Sequence, residues 1–190
     1  MKKSIFIAFL LSSVLIMPCS ADQTVPDMLQ PAEAGWLDNE LPVADTDNLK
    51  SKNGFGAQLW LTSDDSIYET WDTPEIPKIK TTKTAVRNQP IFAIFLFTNP
   101  GMDNQSQADI TADVTIISPD GEIYGEFKDM EIWQREYFFA ANTLQLAVGN
   151  LGILIEDADQ LGVYQVKARI KDRIKNIYLD LQTEFTAQEN

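Results

Sequence analysis

Glu131 and Glu136 stand on either side of Trp133, and Glu156 adjoins Asp157. Two carboxylates are the smallest set that can hydrolyse a glycosidic bond, provided they lie about 5 to 9.5 Å apart and one keeps its proton. The other familiar acid–base routes are closed, because the chain contains no histidine and its single cysteine, Cys19, lies just after an N-terminal apolar run, in a segment expected to be cleaved off. Ser-His-Asp and Cys-His relays are excluded, and so are zinc and copper centres built on imidazole or thiolate. A chain with 28 Asp and Glu offers carboxylate pairs by chance, and one small β-domain leaves little room for a deep cleft around a pair. The protein is therefore expected to be no enzyme, to have no catalytic residue and to hold no cofactor.

Oxygen ligands alone suit calcium. Asp157, Asp159 and Gly162 imitate the opening of a calcium loop, but Leu161 and Ala168 fall at the fifth and twelfth positions, where ligands are required. The stretch "NPGMDNQSQAD" carries Asp103, Asn104 and Asp109. That composition equally makes a turn, because Asn and Asp side chains bond nearby backbone. No metal is assigned.

Five rings are the remaining candidates for a binding site. Trp60 falls on the polar face of an alternating run, while Trp71, Trp133, Tyr137 and Phe138 fall in or beside expected loops. Exposed rings serve as stacking platforms for sugars and as hot spots for protein partners. A packing role is open to each of them as well. Trp60 and Trp71 would seal one end of the domain against the N-terminal segment, and Tyr137, Phe138 and Phe139 would plug an edge. Taken together the set reads as a surface for a protein partner. A glycan bound through Trp60, Trp71 and Trp133 is the second reading.

Strands must position these rings. In "FGAQLWLT" Phe55, Ala57, Leu59 and Leu61 alternate with Gln58, Trp60 and Thr62, the period-2 pattern of a strand with one apolar face. Residues 91–97 of "PIFAIFLFT" are apolar on both faces, as in the middle of a buried sheet. "DITADVTIISPDGEIYGEF" reads as a hairpin turning at Pro119-Asp120-Gly121. Further strands are expected in "NTLQLAVG", "GILIE", "GVYQVKARI" and "NIYLDLQTEF", and no run beyond the first twenty-one residues has the period of an amphipathic helix. Short strands separated by turns predict one antiparallel β-sandwich over residues 51–190.

Residues 159–166 add a detail to that sandwich. Gly162 and Tyr164 have the spacing of the corner before strand F of immunoglobulin-like sandwiches, where the tyrosine hydroxyl bonds the upstream backbone. Val166 then stands where an antibody domain has its second cysteine. Beyond it Lys167, Arg169 and Lys171 point one way, and Asp180 and Gln182 stand across the hairpin from them. Cross-strand pairing, worth about 0.2 to 1 kcal/mol per pair, accounts for this charge run.

The N-terminus belongs to a different class of sequence. Lys2 and Lys3, an apolar run from Ile5 to Met17, and Cys19-Ser20-Ala21 have the order of an export signal cleaved after residue 21. Residues 16–18 lack the box that would mark Cys19 for lipid attachment. Residues 22–50 contain seven acids, one lysine and three prolines without a sustained period, and are expected to form a flexible acidic arm. Loss of Lys2 and Lys3 leaves 13 Lys and Arg against 28 Asp and Glu, a net charge of −15. Such a polyanion repels nucleic acid and acidic membranes. The apolar run is shorter than the roughly 20 residues a bilayer span needs, so no membrane insertion is expected.

"GFGAQLWLT", "SPDGEIYGE" and "LQLAVGNLGILIEDADQLGVYQVKARIKD" resemble a group of small exported bacterial proteins with an immunoglobulin-like fold and no assigned function. The resemblance spans most of residues 53–185. It implies the fold, and because strand, turn and corner residues carry it, it implies no active site. The expectation is an exported, non-enzymatic binding or assembly module of the periplasm or the cell exterior. It would recognise an envelope or extracellular protein through sheet edges and exposed aromatics.

Overall fold

Period-2 runs become strands wherever their apolar face can be buried, and they do so from one end of the described chain to the other. The strands are β1 (Leu37–Asp38), β2 (Leu41–Pro42), β3 (Leu49–Lys52), β4 (Phe55–Thr62), β5 (Thr84–Val86), β6 (Ile91–Thr98), β7 (Gln107–Ile117), β8 (Ile123–Glu136), β9 (Gln145–Leu146), β10 (Leu151–Ile153), β11 (Gly162–Asp172) and β12 (Ile177–Gln188). The single helix among the described residues is the one turn α1 (Ile67–Thr70). The computed structural model describes residues 35–38, 41–71 and 78–190, all within the unit Pro31–Asn190. The expected signal segment, 1–21, and residues 22–34 of the expected arm lie outside the described residues. Among the described residues no helix is long and apolar enough to cross a membrane.

The strands form two sheets and a β1–β2 ribbon. One sheet has the order β3-β4-β6, with β9 and β10 both lying along the far side of β6; the other has the order β5-β12-β11-β7-β8. All pairings are antiparallel except that of β5 with β12. Phe55, Leu59, Phe95 and Phe97 from the first sheet meet Ile110, Val114, Val166, Ile170, Leu179 and Phe185 from the second in one continuous core. The fold is an all-β sandwich.

Two backbone hydrogen bonds stitch the sheets together along their long sides. Gln182 of β12 donates to the carbonyl of Asp47 at 2.7 Å, and Val148, just after β9, donates to the carbonyl of Ile132 in β8 at 3.1 Å. The remaining stretch of β8 carries Glu126, Lys128 and Asp129, and its pairing with β7 is interrupted by register shifts. Bulges and charges of this kind oppose the addition of a further strand.

Residues 35–38 and 41–50 depart from the expected flexible arm. Trp36 is 8% exposed, and its ring lies against Gly56, where a Cβ would come within 2.7 Å of the indole. Its indole N–H donates to the carbonyl of Lys50 at 3.0 Å, and its own carbonyl accepts the Val43 N–H. β3 then pairs with β4 through a two-residue turn at Asn53-Gly54, whose φ values of 49° and 79° suit Asn-Gly. The folded region therefore begins before residue 51. One large ring with a slot to fill anchors a segment whose composition alone is that of a linker.

The corner before β11 forms as its spacing predicts. The Tyr164 side chain is buried, and its hydroxyl donates to the Gln160 carbonyl at 2.8 Å. Gly162 takes φ +135°, which a β-carbon would strain. The Tyr164 ring stacks on Phe185 at 5.1 Å between centroids and receives the edge of Tyr124 at 5.3 Å.

Candidate functional site

The five rings singled out in the sequence occupy two separate places. Trp60 and Trp71 lie on the outer face of the β3-β4-β6 sheet, packed with Tyr68, Ile79 and Phe92 against buried Ile67, Ile94, Leu96 and Leu146. This second, smaller core explains why β6 is apolar on both faces. Its cover is α1 and Ile79, which follow β4, rather than the N-terminal segment, whose ring Trp36 lies against Gly56. The Trp60 indole is held by Gln58 at 2.6 Å. Neither tryptophan stands free on a surface.

Trp133, Tyr137 and Phe138 come together at the end of β8. Trp133 meets Phe97 at 5.5 Å, Tyr137 at 6.2 Å and Phe139 at 6.0 Å, each in an edge-to-face arrangement. Such contacts add about 0.5 to 1.5 kcal/mol each beyond the area they bury. The Arg135 guanidinium lies 5.5 Å from the Trp133 ring centroid, and the indole N–H donates to the Glu136 carbonyl. Tyr137 is buried, which pushes its hydroxyl above the ordinary phenol range. Phe138 and Phe139, by contrast, are 73% and 45% exposed. With Trp133, Gln107, Gln134 and Arg135 they line a shallow depression of about 560 Å³. Phe139, expected only to plug an edge, joins the exposed rings; its aromatic type beside Phe138 is the signal in the sequence that points to it.

The carboxylates do not assemble into a centre. Glu131 and Glu136 are five residues apart on one extended strand, a Cα spacing of about 16 Å, and Glu131 is paired with Arg135 at 3.3 Å. Asp159 accepts the Glu156 backbone N–H at 2.7 Å and the Tyr124 hydroxyl at 2.8 Å. Burial, together with that bond to a carboxylate, pushes the Tyr124 hydroxyl up. Asp157 accepts from Asn88, and Arg87 donates to the carbonyls of Glu156 and Asp159. Asp103 accepts the backbone N–H groups of Gln105 and Gln107 at 2.8 and 2.9 Å, as a turn-forming aspartate does. Asp109 accepts from Gln134. Among the described residues no three acidic side chains are placed to share a cation.

On the outer face of the β5-β12-β11-β7-β8 sheet the charges form a ladder. Arg169 meets Asp180 across the hairpin through two bonds of 2.7 and 3.1 Å. The other bases turn the opposite way, toward β7 and β8. Lys171 reaches Asp113 at 2.7 Å and Asp129 at 2.9 Å, and Arg173 reaches Asp129 at 2.7 Å. The Asp129 N–H and the Lys171 ammonium hold Asp113 below the usual carboxylate range, and Lys171 and Arg173 do the same for Asp129.

No protein-family model matches this chain, and no curated protein matches it. Among solved structures, similarity is found to a family 123 glycoside hydrolase from Clostridium perfringens, described for the details of glycolipid glycan hydrolysis. It is 10% identical with a TM-score of 0.41, and the match covers 72% of this chain but 28% of the hydrolase. A Niemann-Pick type C2 protein from Japanese carpenter ant is 13% identical with a TM-score of 0.35, over 70% of this chain and 89% of that protein. This chain thus spans under a third of the hydrolase's length, and neither likeness reaches the level at which function is transferred.

Proposed function

We propose that the protein is an exported, non-enzymatic, immunoglobulin-like binding module that recognises a protein partner through Phe138 and Phe139. The observation that carries this reading is the exposure of these two rings, of which Phe139 packs edge-to-face on Trp133 and Tyr137. Large rings that are held before binding lose little side-chain freedom in a complex, which is why aromatic residues dominate interface hot spots. Leu144 and Val148, on either side of β9, add further exposed apolar surface. The stitched sides and the bulged, charged β8 move the site away from the sheet edges and onto this aromatic shelf.

The immunoglobulin-like assignment rests on three features together. β12, β11, β7 and β8 have the G-F-C-C′ order, β6 and β10 pair as B and E do, and Tyr164 makes the corner bond ahead of the F-type strand. Export rests on the signal-like residues 1–21, and the resemblance to small exported bacterial proteins agrees with both. A non-enzymatic role is supported by the absence of histidine and by the separation of Glu131 from Glu136, with Glu131 paired to Arg135.

A neutral glycan is the weaker reading. Trp60 and Trp71 are partly buried against the second core, and Arg135 lies over Trp133, so none of the three stands as a free stacking platform. The test is a pull-down from the native host's envelope and medium with residues 22–190 as bait, beside Phe138→Ala/Phe139→Ala and Trp60→Ala baits. Retention of a protein by the wild-type and Trp60→Ala baits, and its loss with the double variant, supports the shelf. Equal retention by all three baits refutes it.

A further inference from the structure

The charge ladder leaves a gap. On the outer face of the β5-β12-β11-β7-β8 sheet lies a groove of about 530 Å³, within the range of small-molecule sites. Asp47 and Lys50 line it together with side chains from β7, β8, β11 and β12. Four cations, Lys50, Lys128, Lys167 and Arg169, face three carboxylates there, in a chain whose net charge is −13. The groove is locally cationic on an acidic protein.

Its groups fall into two sets. Arg169 is locked to Asp180, Asp113 to Lys171, and Lys128 to Glu126 at 2.8 Å. Lys167 stands at the centre of β11, in register with Thr115 on one side and Gln182 on the other. The side chains of Lys167, Thr115, Gln182 and Asp47 make no hydrogen bond or ion pair with other described residues, and Lys50 lies in the field of Asp180 without bonding to it. Unpaired donors and acceptors on and beside paired strands, bordered by ion pairs, form a polar site open to a ligand.

We propose that this groove binds an acidic saccharide. Its carboxylate would sit on the ammonium groups of Lys167 and Lys50, which as point charges suit a compact anion. Asp47, Gln182 and Thr115 would take its hydroxyls. The acceptors select the class: Asp47, with Asp113 and Asp180 nearby, rewards a ligand that brings several hydroxyl donors with each charge. A dense polyanion would meet those carboxylates and the net charge of the chain as repulsion. An acidic peptide brings more acid and few hydroxyls. This site is independent of the shelf at Phe138.

Isothermal titration at low salt tests it, with the full chain and four ligands: trigalacturonate, its methyl ester, maltotriose and triglutamate. Trigalacturonate is expected to bind. The ester and maltotriose are expected to bind at least about tenfold more weakly, the loss of one charge-assisted hydrogen bond. Lys167→Gln, at an exposed position without side-chain partners, is expected to fold normally and to weaken trigalacturonate by at least about tenfold. Phe138→Ala is expected to leave it unchanged. The proposal is overturned if trigalacturonate does not bind, if its ester binds equally well, if Lys167→Gln binds like the wild type, or if triglutamate binds as tightly.

Discussion

The Asp172 carboxylate accepts the Gly101 backbone N–H at 2.6 Å and the Lys175 N–H at 2.8 Å, in a site where Asp172 is 1% exposed. It ties the tip of the β11–β12 hairpin to the loop that follows β6. The contact is too close to admit a side chain at residue 101, where a Cβ would lie 2.9 Å from the carboxylate. Lys175 completes the clasp by donating to the Asn99 carbonyl at 2.9 Å.

Asp172→Ala is expected to destabilise the protein by about 3 kcal/mol, because it leaves the buried Gly101 N–H and the half-buried Lys175 N–H unpaired. Asp172→Asn is expected to recover only part of that, since its amide presents a donor to one of the two N–H groups. Urea unfolding followed by circular dichroism measures both. A loss under about 0.5 kcal/mol for the alanine variant, the range of ordinary surface changes, would show that the clasp contributes little.

Tyr164→Phe keeps the stack on Phe185 and removes the hydroxyl that bonds Gln160. A loss of about 1 kcal/mol is expected, the net worth of one such bond. Tyr164→Ala also removes the ring and should cost about 3 to 5 kcal/mol. Similar losses for the two variants would mean that the ring adds nothing beyond its hydroxyl.

The ion pairs on the outer sheet predict an acid limb in the stability profile. Asp113 and Asp129 titrate below their unfolded values, so their contribution is fully present above about pH 4, the unfolded carboxylate value. It is lost as pH falls through the lower folded values. Lys171→Gln weakens both depressions, so its urea midpoint should fall less steeply than the wild type's between about pH 5 and pH 3. Comparing the two chains cancels the relief of general repulsion that acid brings to a polyanion. Parallel curves would remove Lys171 from the account.

Trp60 and Phe138 should separate stability from binding. Trp60→Ala removes a ring from the second core and is expected to cost about 2 kcal/mol, below the range for a fully buried tryptophan, while the folded fraction still captures the partner. Phe138→Ala, at a position 73% exposed, should change stability by less than about 0.5 kcal/mol and abolish capture. Midpoints and pull-downs on the same preparations check the pair; the opposite pattern would place the site over α1 instead.

Local periodicity made the long strands legible. β4 and β6 coincide with the alternating and doubly apolar runs at 55–62 and 91–98, and Gly162 and Tyr164 announced their corner, because spacing along one strand decides which face a side chain takes. β1, β2 and β5 are too short to show a period, and the continuation of β8 past Phe127 to Glu136 is masked by bulges that break the alternation. Asp172 shares the inward parity of Val166, Ala168 and Ile170, yet only the tertiary structure supplies its partner, the N–H of Gly101. The separation of the five rings has the same origin. Sequence marks a tryptophan on a polar face or in a loop, whereas the packing around it depends on pairing across the sheet: Trp60 joins a core that includes Ile94, Leu96 and Leu146, while Phe138 stays 73% exposed. The missing histidine settled on its own which chemistry is closed, since a side chain that is not in the sequence cannot be supplied by any fold. Which of the remaining groups stay uncommitted, as Lys167 does while Arg169 and Lys171 are locked, was decided only by strand register, because pairing across a sheet joins residues that no local pattern relates.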